Sequence, residues 1–207
     1  MFISFEGIDF CGKSTQISLL KENLESEGKE VMIIREPGGT EISEQIRKIL
    51  LDKKNLKLTD EAEILLFSAS RAQLVSEKII PFLKLGNYVL SDRFYDSTTA
   101  YQGFGRGIDK DFVNAINSFV AKKAKPDLTF FLDIPVDLAI SRQKDKRTSL
   151  DRIELGSKEF YEKIRSGYQE IAKMEKRFVT IDGSFDVATI HNKIMEHLKL
   201  KQSNEKK

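Results

Sequence analysis

The chain holds a single cysteine, Cys11, and only two histidines, and it nowhere contains the roughly twenty consecutive apolar residues that cross a bilayer. One cysteine excludes an internal disulfide framework. His191 and His197 stand six apart near the end of the chain, which is not the spacing of a zinc pair. The first ten residues, MFISFEGIDF, lack the charged start and long apolar stretch of an export signal. An excess of charge of one sign is also missing. The 34 Lys and Arg face 32 Asp and Glu, so no global positive field holds the protein on nucleic acid or an anionic membrane. Any basic site must be local. These absences point to a soluble, cytoplasmic protein with neither nucleic acid nor membrane as a partner.

With 207 residues, 40% of them hydrophobic, the chain can bury one substantial core and needs no second domain. Short β-rich runs, FISF (2–5), VMII (31–34), YVL (88–90), LTFFL (128–132) and FVTI (178–181), alternate with helical stretches. That alternation predicts an α/β fold, a parallel sheet with helices on both faces. Ile17, Leu20 and Leu24 share one face of a helix over 14–27, and Gly28 follows as a stop. Asp60 and Glu63 resemble a capping box and open a long helix that Pro81 ends. Further helices are predicted over 41–51, 109–121, 136–143, 157–175 and 186–199. The tail KQSNEKK (201–207) carries no apolar residue and is expected to be disordered, leaving one domain over 1–200.

G-x-x-x-x-G-K-S, from Gly7 to Ser14, follows the first strand directly and opens a helix, the setting a phosphate loop requires. Backbone N–H groups and the helix N-terminus attract polyphosphate, Lys13 reaches its outer phosphates, and the Ser14 hydroxyl can hold Mg²⁺. A plain strand-to-helix turn would account for the glycines but not for Lys13 and Ser14 in register. The Asn-Lys-x-Asp that selects guanine in GTPase switches does not occur. Asp92 and Arg93 follow the strand YVL at the carboxyl edge of the sheet, where open α/β folds bind ligands. There Asp92 can hold Mg²⁺ through water, and Arg93 offers a planar fork for phosphate. REPGGT (35–40) brings Arg35 and Glu36 to the same edge. Phe67 and Arg71, four apart on one helix, set an aromatic plate beside a guanidinium, suited to a nucleobase or to core packing. TAYQGFGRG (99–107) reads as a mobile loop carrying Tyr101 and Gln102. SRQKDKRTSLDRIE (141–154) reads either as a solvated charge run or as a basic lid.

Taken in order, FEGID and GKST (5–15), REPGGT (35–40), LLFSASR (65–71), DRFYDSTTAYQG (92–103), PDLTFFLDIP (126–135) and LDRIE (150–154) resemble the thymidylate kinase family, bacterial type, over nearly the whole chain. The resemblance implies a P-loop kinase fold with a five-stranded parallel sheet and a short lid at about 142–155. It implies transfer of the γ-phosphoryl group of ATP to dTMP with Mg²⁺, in dTTP synthesis, by a homodimer whose contact includes the helix after DRFYDS. Gly7, Ile8, Asp9, Phe10, Cys11, Gly12, Lys13, Ser14 and Thr15 would surround the ATP phosphates, with Ser14 and Asp92 at the metal. Phe67 would stack on thymine and Arg71 bond its edge. Ser97, Thr98 and Gln102 would line the remaining pocket, Tyr101 would exclude a ribose 2′-hydroxyl, and Arg93 and Arg47 would bind the monophosphate. Asp9, Glu36 and Pro37 would lie near the sugar and the reacting phosphates, Asp9 orienting rather than abstracting a proton. Lys13, Arg93, Arg152 and Asp9 are the expected catalytic residues.

Phe10 departs from the family, whose members carry glycine there, or arginine in the eukaryotic pattern. A phenylalanine offers no charge and is not expected at positive φ. The missing cation is therefore assigned to the lid, with Arg152 first and Arg147 and Arg142 behind it. Cys11, beside Lys13 and the helix N-terminus, is placed to form a thiolate or simply to fill a small slot. Another nucleoside monophosphate or deoxynucleoside kinase, and a nucleotide-binding switch without turnover, remain the alternatives.

Overall fold

The computed structural model describes residues 1–121, 124–145 and 150–205. Five strands, β1 (Phe2–Glu6), β2 (Val31–Arg35), β3 (Tyr88–Asp92), β4 (Leu128–Asp133) and β5 (Phe178–Asp182), form a parallel sheet in the order β2-β3-β1-β4-β5. Each predicted strand is present and runs one or two residues further at its carboxyl end, onto a charged residue in every case: Glu6, Arg35, Asp92, Asp133 and Asp182. Hydrophobic patterning stops short of those residues because the strand interior is apolar while its end reaches the polar edge. From the central β1 the chain crosses to β2 at one edge, returns to β3 beside β1 and then passes to β4 and β5 on the other side, so connections leave neighbouring strands in opposite directions at the carboxyl end of β1, a topological switch point.

Nine helices are assigned among the described residues: α1 (Lys13–Ser26), α2 (Glu41–Leu51), α3 (Asp60–Leu74), α4 (Ile80–Lys84), α5 (Tyr95–Thr98), α6 (Lys110–Ala121), α7 (Val136–Asp145), α8 (Lys158–Met174) and α9 (Val187–Glu205). Among the described residues none is long and apolar enough to cross a membrane. The Oγ1 of Thr40 caps α2 by accepting from the Ser43 N–H at 3.1 Å. At α3 the cap is Thr59, which accepts from the Ala62 N–H, so Glu63 is released from the expected capping box and turns inward.

Three expectations change. Pro81 does not end the helix that begins at Asp60, because a π-helical turn over Val75–Ile79 joins α3 to α4 and places Pro81 in the first turn of α4. There its missing N–H is tolerated. The stretch read as a mobile loop is a second π-helical segment, Thr99–Gly105, in which Tyr101 and Gln102 are buried. Its glycines pack instead of flexing: a Cβ at Gly105 would meet the Phe160 ring at 2.7 Å. Finally, α9 runs to Glu205, into the tail expected to be disordered. Extending a formed helix costs far less than nucleating one, and Gln202 Nε2 donates to the Tyr88 hydroxyl at 3.1 Å.

At the sheet centre, Phe5 and Phe130 are fully buried with ring centroids 5.4 Å apart, in a cluster that also includes Leu20 and Leu24 of α1 and Ile194 and Leu198 of α9. Replacing Phe130 with Ala should lower unfolding stability by about 3–5 kcal/mol in urea titration; a loss below about 1 kcal/mol would mean the ring is not central to the core.

Candidate active site

The segment from Gly7 to Gly12 links β1 to α1 and closes on itself. Gly7 has φ 135°, and a Cβ there would lie 2.6 Å from the Leu132 carbonyl oxygen and 2.9 Å from the Cys11 sulfur, so only glycine fits. Lys13 is buried, and its Nζ donates to the carbonyls of Gly7 and Ile8, each at 3.1 Å. Cys11 is 1% exposed within the apolar core, which makes it the filler of a small slot. Phe10 overturns the expectation about its backbone: it takes the left-handed conformation with φ 64°, at a cost of about 1–2 kcal/mol for a side chain with a Cβ. Its carbonyl accepts from Arg142 Nη1 at 3.3 Å, while Arg142 Nη2 donates to the Gly183 carbonyl at 3.1 Å.

The Ser14 hydroxyl donates to Asp92 Oδ2 at 3.0 Å, joining the start of α1 to the end of β3. The next residue, Arg93, also has positive φ, at 71°. This turn aims its guanidinium back across the crevice. Nη2 donates to Asp9 Oδ1 at 2.6 Å and to the Tyr101 hydroxyl at 2.9 Å, and Nη1 donates to the Gly7 carbonyl at 2.8 Å. Asp9 Oδ2 also accepts from the hydroxyls of Tyr101 and Tyr161. Burial alone would raise the Asp9 pKa, but the charges of Arg93 and Lys13 and the hydrogen bonds from Arg93 and Tyr101 outweigh it and hold the carboxyl at about 2. Asp9 is therefore an anion that orients Arg93.

On the other wall, Arg71 is 1% exposed and donates from Nε to Glu36 Oε2 at 2.6 Å and from Nη2 to Thr98 Oγ1 at 2.9 Å. Its Nη1 and Glu36 Oε1 have no hydrogen-bond partner among the described residues. Burial pushes the Glu36 carboxyl up to about 7 against the pull of Arg71. Arg47 Nη1 donates to the Pro37 carbonyl at 2.7 Å, and burial together with the nearby charge of Arg35 lowers the Arg47 pKa. Two guanidiniums this close are stabilised by an anion.

These groups share one cleft of about 590 Å³, lined among others by Thr15, Pro37, Phe67, Ser97, Thr98, Tyr101 and Gln102. Among the described residues six cationic side chains border it, Lys13, Arg35, Arg47, Arg71, Arg93 and Arg142, against the carboxylates Asp9, Glu36, Asp92, Asp151 and Glu154. Ile8 lies instead in the core and contributes its carbonyl.

One expected assignment moves. Gln102 borders the cleft as expected, and its Nε2 donates to Glu63 Oε1 at 2.9 Å. Arg152, first choice for the catalytic cation, does not line the cleft. Its side chain is 7% exposed, Nη2 donates to Glu63 Oε2 at 2.6 Å and Nε donates to the Leu50 carbonyl at 2.7 Å. Glu63 is fully buried and draws Arg152 inward; Gln102, Arg106 and Arg152 lower its pKa against the opposing effect of burial. Among the described residues of that basic run Arg142 reaches the Gly7–Gly12 segment, and Arg147 lies outside the described residues. Sequence reasoning missed Glu6, Glu63, Tyr161 and Tyr168. The seven-residue spacing of the two tyrosines, two turns of α8, and a glutamate ending an apolar strand were the available signals.

A family model described as Thymidylate kinase matches residues 5–194. The thymidylate kinase of Kosmotoga olearia is 49% identical over 201 residues, covering 97% of this chain and 96% of that one. That of Thermosipho africanus is 49% identical over 194 residues, covering 94% and 95%. The crystal structure of thymidylate kinase from Ehrlichia chaffeensis superposes with a TM-score of 0.78 at 35% identity, covering 96% of this chain and 98% of that one. With a glycine-lysine-serine loop and an arginine-rich wall in one cleft, and with these matches over nearly its full length, the chain belongs to the thymidylate kinase family.

Proposed function

We propose that the protein transfers the γ-phosphoryl group of ATP to dTMP, giving dTDP and ADP. One observation carries this reading: Lys13 and Ser14, placed for a polyphosphate, line the same cleft as Phe67 and Arg71, placed for a base. Phe67 supplies an aromatic face, and the buried Arg71 has one guanidinium nitrogen free of partners among the described residues to donate to a carbonyl of the base. Arg93, with Arg47 and Arg35, faces the monophosphate, which is already ionised and needs no general base. Catalysis is then charge neutralisation and in-line positioning. Asp9, held anionic, keeps Arg93 aimed, and Tyr101 beside it narrows the space around the sugar.

The donor set at Ser14 and Asp92, two hard oxygens 3.0 Å apart, fits Mg²⁺. Among the described residues no three His, Cys, Asp or Glu side chains form a metal cage, which also suits an ion bound chiefly by substrate phosphates. When bound, Mg²⁺ would offset negative charge on the transferring phosphates. Leu65 on α3 and Phe112 on α6, two helices packed together, stay exposed and support the homodimer reading. A single unpaired, buried cysteine suits the cytoplasm.

With ATP and Mg²⁺, ADP release should be at least about a hundredfold more efficient in kcat/KM with dTMP than with dCMP, dGMP or AMP. Equal rates across the panel would favour another monophosphate kinase, and no ADP with any acceptor would favour a switch. Chelating divalent cations should abolish turnover, and readdition of Mg²⁺ should restore it. Arg142→Ala should lower kcat by about tenfold or more, as loss of a phosphate-side cation does. Arg152→Ala should instead lower unfolding stability by about 3 kcal/mol by weakening the buried pair with Glu63, with kcat of the folded enzyme nearly unchanged. The reverse pattern would return the catalytic cation to Arg152.

A further inference from the structure

Glu6 ends β1 behind the cleft, does not line it, and is fully buried. All of its acceptor capacity is used. Oε1 accepts from the Phe94 N–H at 2.7 Å and the Ser4 hydroxyl at 2.8 Å, while Oε2 accepts from the Ser97 hydroxyl at 2.6 Å and the Tyr168 hydroxyl at 3.0 Å. Three of these four donors border Arg93. Phe94 is the residue after it in a turn whose φ of 71° a side chain with a Cβ adopts only when held. Ser97 and Tyr168 are the two hydroxyls that receive Arg93 Nη1, at 3.3 and 3.2 Å.

From this geometry we infer that Glu6 is a positioning residue for the transfer reaction: it holds the Arg93–Phe94 turn and both hydroxyl supports of the guanidinium, and so sets where Arg93 meets the acceptor phosphate. The inference rests on the kinase reading above. Ser4 and Ser97 flank the carboxylate within β1 and from α5, and Tyr168 reaches it from α8. The charged groups acting on it are Arg93, which favours its ionised form, and Asp96, which opposes it and is itself paired with Arg177 at 2.7 Å. Burial, assisted by Asp96, pushes the carboxyl up to about 7, while the Ser97 and Ser4 hydroxyls and the charge of Arg93 pull the other way. An amide takes its place only at a cost to the support of Arg93. With its oxygen kept on the Phe94 N–H and the Ser4 hydroxyl, a glutamine turns its NH₂ onto Ser97 and Tyr168, whose hydroxyls must stop donating and accept it while they also receive Arg93 Nη1.

The test is Glu6→Gln, with dTMP and ATP binding measured by calorimetry and both KM values and kcat measured by ADP release. The dTMP Kd and KM should rise about tenfold and kcat should fall, while ATP constants stay within about twofold, because none of the four donors to Glu6 lies in the phosphate loop. Should that variant fail to fold in a thermal melt, Tyr168→Phe removes one of the four donors and should weaken dTMP selectively by about threefold. If wild-type protein fails to phosphorylate dTMP, both readings fall. If wild type does so and the variant leaves both nucleotides unchanged, or weakens them equally, the positioning role alone is overturned.

Discussion

The ion pair between Arg93 and Asp9, 2.6 Å across the crevice at the head of β1, is the contact on which the site depends. It joins the phosphate loop to the residue that follows β3, beside the backbone bond from the Arg93 N–H to the Phe5 carbonyl at 3.0 Å. Its members also bear the remaining contacts: Asp9 gathers Tyr101 and Tyr161, and Arg93 gathers the Gly7 carbonyl, Ser97 and Tyr168. The two walls of the cleft are thereby fixed to each other, and pre-organisation of this kind is the main contribution a protein makes to phosphoryl transfer.

Concentrating charge at one edge of a sheet is costly unless every group finds a partner. All five strands end on a charged residue, and the cleft above them is crowded with cations. The solution is pairing by layer. Carboxylates set behind the cleft, Glu6 and Glu63, accept from hydroxyls, a backbone N–H, an amide and guanidiniums, and so orient the groups in front of them. The guanidinium of Arg71, which lines the cleft, keeps Nη1 without a hydrogen-bond partner among the described residues. Arg152 belongs to the rear layer, which is why its position in a basic run misled the reading of its role.

Residues whose chemistry is local to a short motif were legible in the sequence. Gly7, Lys13 and Ser14 follow from strand, loop and helix in succession, and Asp92 and Arg93 follow from their place at a strand end. What escaped was decided by partners distant in the chain. The direction of Arg152 depends on Glu63, 89 residues away, and the burial of Tyr101 and Gln102 depends on a π-helical segment packed against α8. Glycines at 103, 105 and 107 suggested mobility, yet Gly103 packs at ordinary contact distance from Val113 and Gly105 is a site of close approach by Phe160. Phe10 was legible as a departure but not as a conformation, because tertiary contacts such as the Arg142 bond to its carbonyl override its backbone preference.

The central claim is that Asp9 and Arg93 act as one unit, which a double-mutant cycle with Asp9→Asn and Arg93→Ala tests most directly through kcat/KM for dTMP. The account predicts strong non-additivity, a coupling of about 2 kcal/mol or more, with the double variant little worse than the worse single one. Effects that add to within about 0.5 kcal/mol would contradict it.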